Sequence, residues 1–352
     1  MTDMGWFITA DAAEFLAEAG EFLHAEPARN TVVLTMAENL RVKAAAVDPT
    51  QAAAAPGSGP GEPLFGWWRP PARPDAKSAG PVLVAGVVRS VFMYTPEFPV
   101  LLSSHMSGPA AAELARDLAA AGHQVPGINA AQQAADAFAA AWAERTGDAI
   151  TAQRRMRLFR LGEPIRPAPE PAGAARLATE RDRDLLAEWF DAFAREVGDP
   201  PRHDSRAVVD ERLGYGGITV WEDGGIPVSI AGRTRTVAGM VRVAPVYTPP
   251  ELRGRGYAGA ATAAVSRAAL DAGVRHVVLY TDLANPTSNA LYQRLGYRPV
   301  EDRVVFSFEP VRHGLRFICE RTRGLRGTGR WRSRSVRGVH AAAGRDDPVV
   351  GG

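Results

Sequence analysis

The segment 246–273 reads VYTPPELRGRGYAGAATAAVSRAALDAG, and few backbone arrangements accommodate it. It begins as the end of a strand, passes through a glycine-rich turn at 253–258 and continues as an alanine-rich helix. Small residues at the start of a helix let successive backbone N–H groups point toward one place, which suits an anion such as a diphosphate. Glycine-rich turns also join strands to helices without any ligand, so the turn needs support from the rest of the sequence.

That support comes from residues 274–300, VRHVVLYTDLANPTSNALYQRLGYRPV, which predict a second strand, an asparagine-bearing loop and a second helix in matching order. Together the two segments resemble the GNAT superfamily, the GCN5-related N-acyltransferases that use acyl-CoA. The resemblance covers roughly residues 175–310. It implies an α/β acyl-CoA N-acyltransferase fold, with a mixed, mostly antiparallel sheet flanked by helices. It also implies transfer of an acetyl group from acetyl-CoA to a primary amine.

The resemblance assigns the pyrophosphate of coenzyme A to the RxxGxG/A turn. Its residues are Arg253, Gly254, Arg255, Gly256, Tyr257 and Ala258. In this family the backbone of the turn does most of the holding, so either arginine side chain is equally well explained as solvated. We expect Gly254, Gly256 and Ala258 to tolerate change least, because a larger side chain would obstruct the close approach or the turn dihedrals. Tyr257 is expected to pack rather than react.

Pro245 interrupts the predicted strand TVAGMVRVAPVYT, just before the turn. Proline cannot donate to a sheet ladder, so the pairing must break or bulge there. The resemblance implies that this strand splays from a parallel neighbour and that the acyl-pantetheine arm enters the gap. The N–H groups of Val246, Tyr247 and Thr248 would then pair with the pantetheine amides and polarise the thioester carbonyl. An edge-strand proline without a role is the alternative.

Tyr292, in the helix ALYQRLGY, is the candidate acid that protonates the departing CoA thiolate, as the resemblance implies. A phenol has an ordinary pKa of about 10 and can serve as such an acid. The alternative is an aromatic side chain that fills the core, which is also the role expected for Tyr297. Asn285 and Asn289 are implied cofactor contacts, although helix capping explains either one.

The attacking amine must lose a proton, and three carboxylates border the expected cleft: Glu196, Glu222 and Asp282. Glu222 is the candidate base, although a solvated surface charge explains each of the three. The single cysteine, Cys319, lies near the C-terminus, so we expect direct attack in a ternary complex without a covalent enzyme intermediate. The acceptor, a small-molecule or a protein amine, would be selected around residues 190–235.

The first part of the chain predicts the same order of elements as the second. Helices are predicted at 11–24, 30–41, 109–121 and 130–145, and strands at 64–68, 82–88, 99–104, 125–128 and 156–161. Where the cofactor turn should stand the chain reads SSHMSGP, and Pro109 has no N–H to offer. We therefore predict a degenerate GNAT-like domain at 1–162 that does not bind acyl-CoA. A proline-rich linker at 163–174 would lead to the catalytic domain at 175–310.

Charge is distributed unevenly along the chain. Residues 311–352 hold ten arginines against three carboxylates, so this tail carries +7 of a net charge of +2 and the remaining residues carry −5. The tail has few aromatic residues, Phe317 and Trp331, and no apolar periodicity, so solvated disorder explains it better than a dedicated nucleic-acid arm. Residues 49–63, rich in Pro, Gly and Ala, predict a flexible insertion.

Composition favours a cytoplasmic protein without metal. No apolar run approaches the roughly 18 residues that span a bilayer. The N-terminus lacks the basic segment of a secretory signal, and one cysteine cannot form an intramolecular disulfide or a cysteine metal cluster. A homo-oligomer is compatible with the sequence. Two further hypotheses stay open: a non-catalytic acyl-CoA-binding sensor or docking module, and an RNA-associated modifier guided by the arginine-rich tail.

Overall fold

The chain runs twice through one order of elements: strand, two helices, three strands, helix, strand, helix, strand. The computed structural model describes residues 5–46, 62–70, 86–199 and 204–311. The first half, residues 5–161, contains β1 (Gly5–Thr9), α1 (Ala12–Ala25), α2 (Thr31–Ala46), β2 (Leu64–Arg69), β3 (Ser90–Tyr94), β4 (Val100–Leu102), α3 (Gly108–Ala120), β5 (Gly127–Ala130), α4 (Gln132–Thr146) and β6 (Ala149–Leu161).

The second half, residues 174–309, repeats that order. It contains β7 (Ala174–Leu177), α5 (Arg183–Val197), α6 (Ser205–Leu213), β8 (Ile218–Asp223), β9 (Ile226–Arg233), β10 (Met240–Tyr247), α7 (Tyr257–Asp271), β11 (His276–Asp282), α8 (Pro286–Arg294) and β12 (Tyr297–Glu309). Short 3₁₀ turns at Glu180–Asp182 and Pro250–Leu252 precede α5 and α7.

All twelve strands form one sheet in the order β1-β2-β3-β4-β5-β12-β6-β11-β10-β9-β8-β7. Neighbouring strands are antiparallel except β4 with β5 and β10 with β11. The mixed, mostly antiparallel sheet that the sequence predicts is therefore confirmed. The final strand of each half is exchanged, because β12 lies next to β5 and β6 lies next to β11. Residues 5–311 consequently belong to one compact unit.

Hydrophobic patterning explains how the helices cover the second half of this sheet. On α5, Leu186, Ala187 and Phe190 are buried at helical spacing, and the helix ends at Gly198, whose φ of 68° is left-handed. Helices α5 and α6 pack on one face of the sheet and α7 packs on the other. The first half reaches the same face as α5, because Thr31 of α2 donates to the sulfur of Met240 on β10 at 3.0 Å.

Several elements differ from the prediction. The strand predicted at 82–88 is wrong for residues 86–88, since β3 begins at Ser90, while 82–85 lie outside the described residues. Strand β1 and helix α6 were not predicted, and β6 begins seven residues earlier than expected. The predicted insertion at 49–63 and the arginine-rich tail lie almost wholly outside the described residues, so both stay predictions.

The proline-rich segment 163–173 runs from β6 to β7 with fixed contacts to the second half. The N–H of Ile165 donates to the carbonyl of Leu295 at 3.0 Å, and the Trp221 indole donates to the carbonyl of Ala172 at 2.9 Å. A β-carbon added at Gly256 would lie 3.6 Å from the ring of Pro171. The segment therefore lies along the second half as far as the turn that precedes α7.

Candidate functional site

Strands β10 and β11 separate soon after they meet. Their parallel pairing covers only 240–242 with 276–278. Beyond that point β11 continues to pair with β6, and β10 continues to pair with β9 through a bulge between Val243 and Val246. The break that Pro245 predicts is confirmed. The edge of β10 at 243–247 has no strand partner on its β11 side among the described residues, which leaves a gap that widens toward Thr248.

Arg212 of α6 holds the bulge in β10. Its guanidinium donates to the carbonyl of Ala244 and lies over the ring of Phe190, 5.2 Å from the ring centroid. Gly232 on β9 makes room for this contact, because a β-carbon there would lie 2.6 Å from Nη1 of Arg212 and 2.9 Å from the oxygen of Ala244. Arg212 is not predicted from the sequence, because α6 is not predicted either. An arginine on a helix that precedes a strand with an internal proline gives no recognisable pattern.

The glycine-rich turn brings the start of α7 to the wide end of the gap. Gly254 and Gly256 have φ values of 77° and 86°, which side chains disfavour. No side chain caps α7, and its first backbone bond runs from Ala260 to the carbonyl of Gly256. The N–H groups of Tyr257, Ala258 and Gly259 therefore have no intrahelical acceptor, as at the start of any α-helix. Together with the helix dipole they favour an anion there.

The need for glycine in the turn comes from its dihedrals and not from crowding within the protein. A β-carbon added at Gly254 would meet no atom within 4 Å, and at Gly256 it would make only ordinary contact. The sequence predicts that a larger side chain at these glycines would obstruct a close approach. At either position, however, an added β-carbon would not clash with the protein's own atoms.

The two arginines of the turn differ in their contacts. Arg253 donates to the carbonyl of Thr248 at 2.9 Å and forms an ion pair with Glu196 at 2.6 Å. Its side chain thus braces the turn. Arg255 is exposed, donates to the carbonyl of Glu251 at a long 3.4 Å and interacts with the side chain of Tyr257, but it has no ion pair among the described residues. Its guanidinium is therefore the more available of the two for a ligand.

Two other predicted cofactor residues, Tyr257 and Thr248, have hydrogen-bond partners within the protein. Tyr257 packs in the core, and its hydroxyl donates to Asp223 at 2.6 Å, which raises the pKa of the phenol. The Thr248 hydroxyl lies 2.8 Å from the hydroxyl of Ser229, at the wide end of the gap. Both residues shape the site through their side chains.

Tyr292 lies in α8 among the core residues that also include Val243 and Leu279. Its ring packs edge-on against Tyr297, with centroids 5.9 Å apart. Burial raises the pKa of Tyr292 to about 12, and its hydroxyl has no hydrogen-bond partner among the described residues. The phenol therefore keeps its proton at neutral pH. Tyr297 differs, since it is fully buried and its hydroxyl lies 2.7 Å from that of Ser266.

The two asparagines stand at the start of α8. Asn285 caps the helix by accepting from the N–H of Ser288 at 3.0 Å. Asn289 donates to the carbonyls of Asp282 and Asn285 at 2.8 and 2.7 Å, while its Oδ1 is buried and has no partner in the described part of the chain. An unpaired buried acceptor is costly, so a ligand donor would satisfy it.

Glu222 does not reach the narrow end of the gap, so its role as the base stays a prediction that this position disfavours. It pairs with Pro227 on β9, whereas Val243 pairs with Arg233. These two β9 positions are six residues apart, which corresponds to roughly 20 Å along the strand. The Glu222 carboxylate also accepts from Arg176 at 2.6 Å. The other two candidate carboxylates are engaged as well, Glu196 with Arg253 and Asp282 with the N–H of Ala284.

Within the described ranges, no cluster of three or more His, Cys, Asp and Glu residues could hold a metal ion. No helix of that same part of the chain is long and apolar enough to cross a membrane.

Comparisons with known proteins agree with the fold described above. Residues 175–297 match the model of the Acetyltransferase (GNAT) family. A GCN5-related N-acetyltransferase from Sphaerobacter thermophilus superposes with a TM-score of 0.50 at 18% identity, over 86% of this chain and 94% of that one. A Drosophila protein superposes with a TM-score of 0.53 at 13% identity, over 88% and 99% of the two chains. No curated protein matches the chain significantly. The two structures establish the fold.

Proposed function

We propose, from the premise that residues 175–297 form a GNAT domain, that this acyltransferase-family protein transfers an acetyl group from acetyl-CoA to a primary amine. The observation that carries the proposal is the gap between β10 and β11, which opens onto the uncapped start of α7. A slot lined by unpaired strand edge suits the two amides of pantetheine, and free N–H groups at its mouth suit a diphosphate.

The residues present fit coenzyme A in both its charged and its amide-bearing parts. The N–H groups of Tyr257, Ala258 and Gly259 would hold the diphosphate, and the exposed guanidinium of Arg255 would add charge. The buried Oδ1 of Asn289 would accept from a ligand donor. Bound acetyl-CoA supplies an activated acyl group. With the diphosphate at the wide end of the gap, the acyl group would lie toward the narrow end, near Val243.

Tyr292 would supply the proton that the departing thiolate needs. Its raised pKa keeps the phenol protonated at neutral pH, and its hydroxyl has no competing partner among the described residues. Val246, Tyr247 and Thr248 would bind the pantetheine arm through their backbone. The attacking amine would lose its proton to water, since none of the three predicted carboxylates is free.

The proposal is tested by thiol release from acetyl-CoA with a panel of primary amines. We expect amine-dependent release, with the acetylated amine identified by mass spectrometry. CoA binding measured by calorimetry without turnover of any amine would instead support the non-catalytic binding module. No binding of CoA at millimolar concentration would contradict both.

A further inference from the structure

The amine must approach the narrow end of the gap from the face opposite α7 and α8. Helix α7 and the core around Tyr292 fill one face, which includes Val241 and Val243. Side chains alternate along a strand, so Arg242 points to the other face. That face is shared with Met240 and Tyr280, and α2 of the first half lies over it. An acceptor would therefore meet Arg242 at the point where β10 and β11 separate.

Arg242 lacks a counter-charge. No carboxylate of the described residues lies within 4 Å of its guanidinium, and its one side-chain hydrogen bond within that part of the chain is long, 3.5 Å to the hydroxyl of Thr35. Arg242 is partly buried, and desolvation lowers the pKa of its guanidinium. A partly buried charge without a counter-charge favours an anion beside it.

Two arginines close to this face, Arg303 and Arg29, are paired, whereas Arg242 is not. Arg303 is buried, forms an ion pair with Glu301 at 2.9 Å and donates to further oxygens of the first half. Arg29 contacts Glu301 at 3.6 Å and Glu26 at 3.3 Å. Glu301 is thus already shared by two cations and by the hydroxyl of Ser104.

Tyr280 adds a second unsatisfied polar group beside Arg242. It lies on β11 two residues beyond Val278, the register partner of Arg242. It interacts electrostatically with Arg242, Arg303 and Glu301. Its hydroxyl has no hydrogen-bond partner among the described residues, and burial raises its pKa, so it stays a donor. A guanidinium and a phenol that both donate present a site for an oxyanion.

We propose that the acceptor is an amine that also carries an anionic group, a carboxylate or a phosphate, which Arg242 binds with Tyr280 beside it. The inference rests on the proposed function and names the substrate class of the same site. The geometry places the amine toward the narrow end of the gap and the anion on the face covered by α2. Arg242 then sets specificity and takes no part in the proton transfers.

Two matched pairs of amines test the proposal, each with one anionic and one neutral member. Phosphoethanolamine is compared with ethanolamine, and β-alanine with β-alaninamide, in acetyl transfer by the full chain. We expect at least one anionic amine to exceed its neutral partner about tenfold or more in kcat/KM, a difference of about 1.4 kcal/mol. The better pair shows whether the group is a phosphate or a carboxylate. Equal rates within both pairs would overturn the proposal.

Variants of Arg242 separate recognition from structure. In Arg242→Gln the preference should vanish through a higher KM, whereas Arg242→Lys should keep part of it. The exposed Arg145→Gln on α4 is the control and should leave the preference unchanged. CoA affinity of Arg242→Gln should stay within twofold of wild type. A large loss of CoA affinity would assign Arg242 to the cofactor and contradict the proposal.

A binding measurement distinguishes failure of this inference from failure of the proposed function. Phosphoethanolamine and β-alanine are titrated into the CoA complex of wild type and of Arg242→Gln. Binding that depends on Arg242 supports the anion site even without turnover. If CoA binds but neither anionic amine binds, or if Arg242→Gln binds them equally, the inference is wrong. If CoA itself does not bind, the proposed function is wrong.

Discussion

Each half of the molecule contains one pair of parallel strands connected by a helix. The two pairs differ in the groups that lie between the ends of their strands. In the second half the gap beyond Arg242 on β10 is open, and α7 starts without a side-chain cap. In the first half Arg303 donates to the carbonyls of Leu102 and Asn129, at 2.6 and 2.7 Å, and so ties the ends of β4 and β5 together. Ser107 caps α3 through the N–H of Ala110.

One order of elements can therefore form a gap that suits a ligand, or can lack such a gap. In the first half, protein groups occupy the polar positions that a cofactor would use, since a guanidinium satisfies the strand ends and a hydroxyl satisfies the helix start. This gives a physical reason for the prediction that the first half does not bind acyl-CoA. Arg303 lies on the exchanged strand β12. A residue of the second half therefore binds the strand ends of the first half.

Replacing Arg303 by methionine should produce the largest effect on stability. The side chain is 2% exposed, and its loss would leave Glu301, at 7% exposure, with only the longer contact to Arg29, and would leave two carbonyls without their donor. Breaking a buried pair in this way costs about 3–5 kcal/mol. Urea unfolding measures the change. Arg157→Met, which removes a half-exposed pair with Asp302 nearby, should cost about 1 kcal/mol or less. Equal losses of unfolding free energy in the two variants would contradict the role of Arg303 in holding β4 and β5 together.

Replacing Tyr292 by phenylalanine should lower turnover about 100-fold or more, because a positioned acid contributes about 10²–10⁴-fold. CoA affinity should stay within a few-fold. Tyr297→Phe, the matched control in the adjoining core, loses its bond to Ser266 and should change turnover only slightly. Stopped-flow or steady-state thiol release measures both. Similar turnover in the two variants would remove Tyr292 from the mechanism.

The pH dependence of turnover gives a second view of Tyr292. Burial raises its pKa from 10.0 to about 12, so the protonated form that acts as acid persists as pH rises and is lost only near the raised value. We therefore expect no loss of kcat from this group up to pH 10. A titration of kcat with a midpoint below 10 that disappears in Tyr292→Phe would contradict the burial argument.

Replacing Glu222 by glutamine should have the smallest effect on catalysis, less than threefold in kcat. The carboxylate is bound to Arg176 and stands far along the sheet from the narrow end of the gap. Steady-state kinetics measure the change, with thermal unfolding as a control for the lost ion pair. A hundredfold loss of kcat without loss of stability would restore Glu222 as the base.

The sequence was sufficient for features set by local chemistry. The RxxGxG/A turn predicted the left-handed glycines at 254 and 256, and Pro245 predicted the bulge in β10. Features set by distant contacts could not be predicted. The exchange of β6 and β12 leaves no trace in either strand's own pattern, and the distance of Glu222 from the narrow end of the gap depends on the register of three strands. Arg303 and Arg242 have the same residue type, and only their surroundings distinguish a structural cation from an unpaired one.

The account depends on the claim that the turn before α7 holds the diphosphate of coenzyme A. Gly254 and Gly147 form a matched pair, since both have a φ of 77° and an added β-carbon would meet nothing within 4 Å at either. Alanine at each position should therefore cost a similar 1–2 kcal/mol in backbone strain. Calorimetric titration with CoA should show binding by wild type and Gly147→Ala and at least tenfold weaker binding by Gly254→Ala. No binding by wild type at millimolar CoA, or equal affinity of the two variants, would contradict the claim.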